Sequence, residues 1–245
     1  MIWVGTSGFQ YKEWKGTFYP TTLSTAKMLP FYAERFPTTE INYSFRRIPS
    51  EKTLTNWSAL TPARFRFGLK APQEITHFRQ LRDCEDVLTR FCEALNTLGE
   101  KLGPVLFQLP PFLKNDTALL KDFLAIVPRG LRSAFEFRHE SWFSDETFAV
   151  LESKNAALCI ADTEELKTPV VATADFEYFR LRNPAYTKAD IARWAKVISE
   201  HDGKAKDIFV YFKHEDSGVG PKFARQLLDD LGVRKPPSDE LFPRD

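Results

Sequence analysis

The sequence predicts an α/β protein, a (β/α)8 TIM barrel of somewhat irregular build. Three observations carry that expectation. Eight short strand-like segments recur along the chain, most of them separated by segments of helical period. The chain is 245 residues long, close to the roughly 250 residues typical of one such barrel. No Gly-rich dinucleotide turn follows the first strand, Gly5-Thr6-Ser7-Gly8 being too short for one. That weighs against the runner-up, an open doubly wound sheet.

The elements follow in order. Ile2 to Gly5 reads as the first strand, and an aromatic loop from Phe9 to Pro20 holds Tyr11, Trp14, Phe18 and Tyr19. A helix fits Ser24 to Phe36, with Pro30 awkward inside it. Thr38 to Ser44 alternates as a second strand, and Ser50 caps a helix to about Leu60. Phe65 to Lys70 is the third strand; a loop carrying His77 leads to a helix from about Glu85 to Leu102. Pro104 to Leu109 is the fourth, stopped by Pro110-Pro111, and Asp116 caps the helix that follows. Ala134 to Trp142 opens with the fifth strand, in which Phe135 and Phe137 alternate with Glu136 and Arg138. Ser144 starts the next helix, and Ala156 to Ala161 is the sixth strand, ending in Asp162. The connection Thr163 to Asp175 is too short and mixed for a full helix. Phe176 to Arg182 is the seventh strand, Thr187 and Asp190 form a capping box, and Ile208 to Lys213 is the eighth strand. A last helix runs to about Leu231. The expected organisation is a single barrel domain over residues 1–233 and a flexible tail over 234–245, where Pro236 and Pro237 stand.

Composition limits the function classes. The net charge is +1, so no global field recruits nucleic acid or an anionic membrane. No apolar run approaches the ~18 residues of a membrane span. Cys84, Cys92 and Cys159 have no CxxC spacing and read as free thiols of a reducing compartment. The start at a strand-like segment argues against a secretory signal, so the cytoplasm is expected. Composition leaves the oligomeric state open.

Alternation sends one set of polar residues into the barrel mouth, where such enzymes place their active sites. The set is Glu40, Asn42, Lys70, Gln108, Glu136, Arg138, Asp162, Tyr178, Arg180 and Lys213, with Arg182 just above. Every strand except the first is expected to contribute. A barrel needing only stability would fill these positions with Val, Ile and Leu, although a structural salt-bridge network is the competing explanation. Cations outnumber carboxylates in this set, so a small anionic substrate is its natural complement. The loop from Ser217 to Lys222, with Gly218 and Gly220 before a helix, is a second place for phosphate.

The same residues carry a resemblance. Gly5-Thr6-Ser7-Gly8 with Tyr11, Trp14 and Phe18-Tyr19-Pro20, then Glu40-Ile41-Asn42, Lys70-Ala71-Pro72 with His77, Phe107-Gln108-Leu109-Pro110, and Glu136-Phe137-Arg138-His139 with Trp142 stand in fixed order. In them the chain resembles the YecE-like family, "domain of unknown function 72", over nearly its full length. The resemblance implies a barrel and supplies no reaction. Arg46-Arg47, Arg182-Asn183 and Lys213-His214 depart from the family pattern, each adding or keeping positive character at the mouth.

The expected function is an enzyme, a hydrolase, lyase or isomerase, working by acid–base chemistry on a small anionic, phosphorylated or sugar-derived substrate. Glu136, with Asp162 and Glu40 as partners, would be catalytic. Asn42, Lys70, His77, Gln108, Arg138, Tyr178, Arg180 and Lys213 would bind substrate, with Trp14 and Trp142 stacking on a sugar. One alternative is a glycosidase using Glu40 and Glu136 as its carboxylate pair. Another is a non-catalytic protein that binds a small anion, or single-stranded nucleic acid along a rim of Arg46, Arg47, Arg64, Arg66, Arg79 and Arg82; the net charge makes nucleic acid an unfavoured partner. No cofactor is expected. A divalent metal at Glu40, Asp162, His77, His139 or His214 has no HxH or HExxH spacing behind it. Lys70 at a strand end is a conceivable Schiff-base lysine, but with so many carboxylates and cations nearby anion holding is the favoured role.

Overall fold

Parallel strands need crossover connections, and seven right-handed crossovers in succession bring an eighth strand back beside the first. The computed structural model describes residues 1–214 and 218–233, and there the sheet closes in the order β1-β2-β3-β4-β5-β6-β7-β8. The strands are β1 (Ile2–Ser7), β2 (Thr38–Ile41), β3 (Arg66–Lys70), β4 (Leu102–Gln108), β5 (Ser133–Glu136), β6 (Ala157–Asp162), β7 (Phe176–Leu181) and β8 (Asp207–Phe212), each parallel to its neighbours. The barrel expected from the sequence is the fold observed.

Helices α1 (Met28–Ala33), α2 (Tyr43–Arg46), α3 (Glu51–Ala59), α4 (Glu85–Leu95), α5 (Thr117–Ile126), α6 (Asp145–Glu152), α7 (Lys188–His201) and α8 (Val219–Asp230) surround the sheet or cap its mouth. The side-chain caps form as the sequence indicates. Ser50 accepts from Thr53 N, Asp116 from Leu119 N and Ser144 from Thr147 N, and Thr187 with Asp190 completes a capping box. Pro30 sits in the first turn of α1, where its missing N–H costs nothing. Residues 163–175 form no helix; Thr173 Oγ1 instead accepts from Leu158 N and donates to Ala156 O, closing the short connection by side-chain bonding.

Two strands end two residues or more sooner than alternation suggested. β2 stops at Ile41 because Tyr43–Arg46 turns into α2. β5 stops at Glu136, and Glu140–Trp142 is a single 3-10 turn. His77 lies on a π-type turn over Glu74–Phe78 rather than in an open loop. The expected tail from 234 to 245 lies outside the described residues.

The apolar residues divide between two spaces. The larger core lies between strands and helices, with Phe67, Phe107, Phe135, Phe179 and Phe212 of the sheet packed on the helix layer. The smaller fills the barrel interior with Trp3, Leu106, Ala134, Ala157, Cys159, Phe176, Tyr178, Phe209 and Tyr211. Trp3 stacks on Phe209 with centroids 6.0 Å apart, and Tyr178 meets Tyr211 at 5.2 Å. Gly68 faces the same space because a Cβ there would sit 2.8 Å from the Tyr211 hydroxyl oxygen. That hydroxyl is fixed by a 2.8 Å hydrogen bond with Thr38 Oγ1. The interior is therefore packed at its floor and middle, and its charged groups lie at the carboxyl ends of the strands.

Candidate functional site

Strand parity determines which side chains reach the mouth. On β7, Tyr178 and Arg180 share the interior face, and both are fully buried. Their neighbour β6 offers Ala157, Cys159 and Ala161 inward, side chains small enough to leave the centre to β7. Arg180 occupies that centre. Its Nε lies 3.0 and 3.1 Å from the two Glu40 oxygens, its Nη2 2.8 Å from Glu40 Oε1, and its Nη1 2.8 Å from Glu136 Oε2. One guanidinium thus bridges carboxylates from β2 and β5.

Each carboxylate has further donors. Glu40 receives the Tyr178 hydroxyl at 2.6 Å and a short hydrogen bond from the Ser7 hydroxyl, which itself accepts from Asn42 Nδ2 at 2.7 Å. Glu136 receives Gln108 Nε2 at 2.8 Å and Arg138 Nε at 3.1 Å, with Arg182 Nη1 at 3.5 Å. Gln108 uses its other end to accept from Lys70 Nζ at 2.7 Å. A continuous chain runs from Lys70 through Gln108, Glu136, Arg180 and Glu40 to Ser7 and Asn42.

The protonation states follow. Burial is the largest single influence on both carboxyls and pushes them up, but it is outweighed at Glu40 by Arg180 with the Ser7 and Tyr178 hydroxyls, and at Glu136 by Arg180, Arg138, Arg182 and Gln108 together. Both are held below the ordinary carboxylate range and are ionised at neutral pH. Burial lowers Lys70, the Arg180 charge lowers it further, and the balance leaves its ammonium at about 7. His77 is lowered by burial and by Lys70 and Arg138, so its imidazole is neutral.

Three guanidiniums therefore face two carboxylates. Arg180 is consumed by both, while Arg138 and Arg182 keep 30% and 23% side-chain exposure. These two line a cavity of about 250 Å³ with Glu136, Ala161, Thr163 and Pro184. Glu164 and Glu165 also line it, but they are exposed and solvated, so water screens them far more than it screens the half-buried arginines.

The structure separates the expected residues into groups. Glu40, Asn42, Lys70, Gln108, Glu136, Arg138, Tyr178 and Arg180 lie in the one network. Lys213 is half-buried beside it and contributes to lowering Lys70. His77 lies at its edge, its ring edge-on to Phe45 at 5.0 Å. Asp162 is a correction: it shares parity with Leu158 and Ile160 and points to the helix layer. There it accepts from the Tyr186 hydroxyl at 2.8 Å and Trp194 Nε1 at 3.2 Å. Trp14 and Trp142 are also displaced from their expected place, both being fully buried and unable to present a face to a sugar. Trp142 stacks on Phe137 at 4.5 Å and donates to Leu113 O.

Ser7 was missed by the reading that excused the first strand, although Trp3, Gly5 and Ser7 share parity and Ser7 lies next to Glu40 in register. Gly218 and Lys222 line a separate surface hollow with Arg35 and Arg225, away from the Arg138 cavity; Ser217 lies outside the described residues. His139 bonds locally to Ser141, and His214 to Asn183 O. Among the described residues, no group of three or more His, Cys, Asp or Glu side chains is placed to hold a metal ion. No helix among them is long and apolar enough to cross a membrane.

Comparison with known proteins adds lineage. Residues 3–244 match the family model described as protein of unknown function DUF72. The UPF0759 protein YunF of Bacillus subtilis (strain 168) is 25% identical over 276 residues, covering 95% of this chain and 95% of that protein. The UPF0759 protein YecE of Escherichia coli (strain K12) is 28% identical over 145 residues, 59% of this chain and 51% of its own length. The crystal structure of a DUF72 family protein from Thermotoga maritima MSB8 superimposes with a TM-score of 0.86 at 25% identity, covering 95% of this chain and 99% of that one. A DUF72 family protein from Enterococcus faecalis V583 has the same fold, with a TM-score of 0.81 at 21% identity over 96% of each chain.

Proposed function

This chain belongs to the DUF72 family, whose name carries no reaction, and we propose from its site that it is an enzyme acting on a small anionic substrate at the carboxyl-end mouth of the barrel. The observation that carries the proposal is the pair Arg138 and Arg182. Both are half-buried, both flank one ionised carboxylate, and both line the same cavity. A carboxylate or phosphate can take the guanidinium N–H groups that Glu136 does not use.

Glu136 and Glu40 then act as ionised anchors. They orient Arg180, Arg138 and Arg182, and they are too acidic to serve as proton donors at neutral pH. Lys70 titrates near neutrality and is linked to Glu136 through Gln108, so proton transfer falls to Lys70 rather than to Glu136. A glycosidase needs one carboxyl kept protonated as its acid. Neither Glu40 nor Glu136 is so kept, which disfavours that alternative. The nucleic-acid rim also loses support. Arg66 sits over Trp3 at the amino-terminal end of β3, Arg79 pairs with Glu74 and Asp86, and Arg82 pairs with Asp116.

The test is thermal denaturation with inorganic phosphate, sugar phosphates and small carboxylates. A ligand at a hundred times its dissociation constant stabilises by about 2.7 kcal/mol. Anions should raise the melting temperature of the native protein by several degrees and leave the Arg138→Gln/Arg182→Gln double variant unmoved. Equal stabilisation of both would refute the site.

A further inference from the structure

Lys70 is a buried cation of the network that has no carboxylate within ion-pair distance among the described residues. Its Nζ donates to Gln108 Oε1, a neutral amide, and lies 3.7 Å from the centroid of the Phe45 ring. The residue is 8% exposed, so nearly all of it is out of water, at the carboxyl end of β3 and joined through Gln108 to the Glu136 that lines the cavity. Burial and the charges of Arg180 and Lys213 oppose its positive charge more than the Glu136 and Glu40 carboxylates favour it. An amine desolvated and set beside other cations is the arrangement that makes a lysine nucleophilic at neutral pH. His77, neutral and also against Phe45, stands on the same side of the mouth.

We propose that Lys70 captures a carbonyl group of the bound anion as an imine, which makes the substrate class small oxo-acids or carbonyl phosphates. This rests on the reading of the mouth as an anion site. The step balances without a redox partner. The Nζ lone pair forms a bond to the carbonyl carbon, the C=O π pair moves to oxygen, and that oxygen takes a proton. Nζ then loses its protons as water departs, leaving C=N. His77, neutral and packed against the same Phe45 ring, is assigned the role of carrying a proton between Nζ and the departing oxygen. Gln108 Oε1 holds the amine in register with Glu136, so the carbonyl end meets Lys70 while the anionic end meets Arg138 and Arg182.

The experiment is reductive trapping of the full chain near pH 7.5 with cyanoborohydride and each of three probes: pyruvate, dihydroxyacetone phosphate and acetone. Intact mass gives the number of adducts, and peptide mapping gives their positions. The expected result is one adduct, on Lys70, at least tenfold more with the anionic probes than with acetone. It should be absent from Lys70→Arg and Lys70→Met. The anionic preference, but not acetone labelling, should vanish in Arg138→Gln/Arg182→Gln. No adduct at Lys70, or adducts spread over surface lysines, overturns the imine; if pyruvate still raises the melting temperature through Arg138 and Arg182, the anion site survives that failure. A Lys70 adduct that forms equally well with all three probes overturns the shared site instead.

Discussion

Arg180→Met tests the physics of the mouth, because one guanidinium holds two buried carboxylates. Glu136 would retain Arg138 and Arg182, but Glu40 would be left with the Ser7 and Tyr178 hydroxyls. Removing one partner of a buried pair costs about 3–5 kcal/mol. In a domain of this size each kcal/mol moves the melting temperature by about 2–4 °C, so a fall of about 6–20 °C is expected. The pH dependence is the sharper readout. In the native protein Glu40 and Glu136 titrate below their ordinary value of 4.5. Their stabilisation is fully present above that value and is lost as pH falls through the folded-state values, because there the unfolded chain binds more protons. In Arg180→Met burial, the largest influence on Glu40, is opposed only by the Ser7 and Tyr178 hydroxyls and the more distant charges of Lys70 and Arg182, so its folded-state value rises above 4.5. Between the two values the folded chain binds more protons, and the variant gains stability as pH falls. Urea unfolding at pH 7, 6 and 5 should therefore show a gap between native and variant that narrows with acid. A gap that stays constant or widens, or a variant as stable as the native protein, would refute the reasoning.

Two smaller tests probe the barrel around this centre. Gly68→Ala places a methyl 2.8 Å from the Tyr211 hydroxyl oxygen and 3.2 Å from Cζ, inside a packed interior. It should cost about 1–3 kcal/mol in urea unfolding; an unchanged midpoint would mean that Tyr211 moves freely. Asp162→Asn should cost about 1–3 kcal/mol by weakening the bonds from Tyr186 and Trp194, yet leave phosphate stabilisation intact. Loss of phosphate stabilisation with normal folding would put Asp162 back in the site.

The fold was legible because local rules and global topology agree. Ser50, Asp116, Ser144 and Thr187 cap the helices their positions announce, and parity placed Glu40, Gln108, Glu136 and Arg180 inward correctly. Asp162 was misplaced because its position at a strand end outweighed its parity with Leu158 and Ile160, which alone would have sent it to the helix side. Ser7 was missed because a small hydroxyl gives no charge pattern. The burial of Trp14 and Trp142 depends on neighbours distant in sequence, such as Leu113 for Trp142. The depressed Lys70 amine was also hidden, since it arises from Phe45, Gln108, Arg180 and Lys213 together, drawn from four separate segments.

The central claim is that Arg138 and Arg182 hold an anion against the mouth. Crystals grown without sulfate or phosphate and soaked in tungstate address it directly. An anomalous peak within hydrogen-bonding distance of both guanidiniums is the predicted result. Tungstate bound only elsewhere, for instance in the hollow of Arg35 and Lys222, would contradict it.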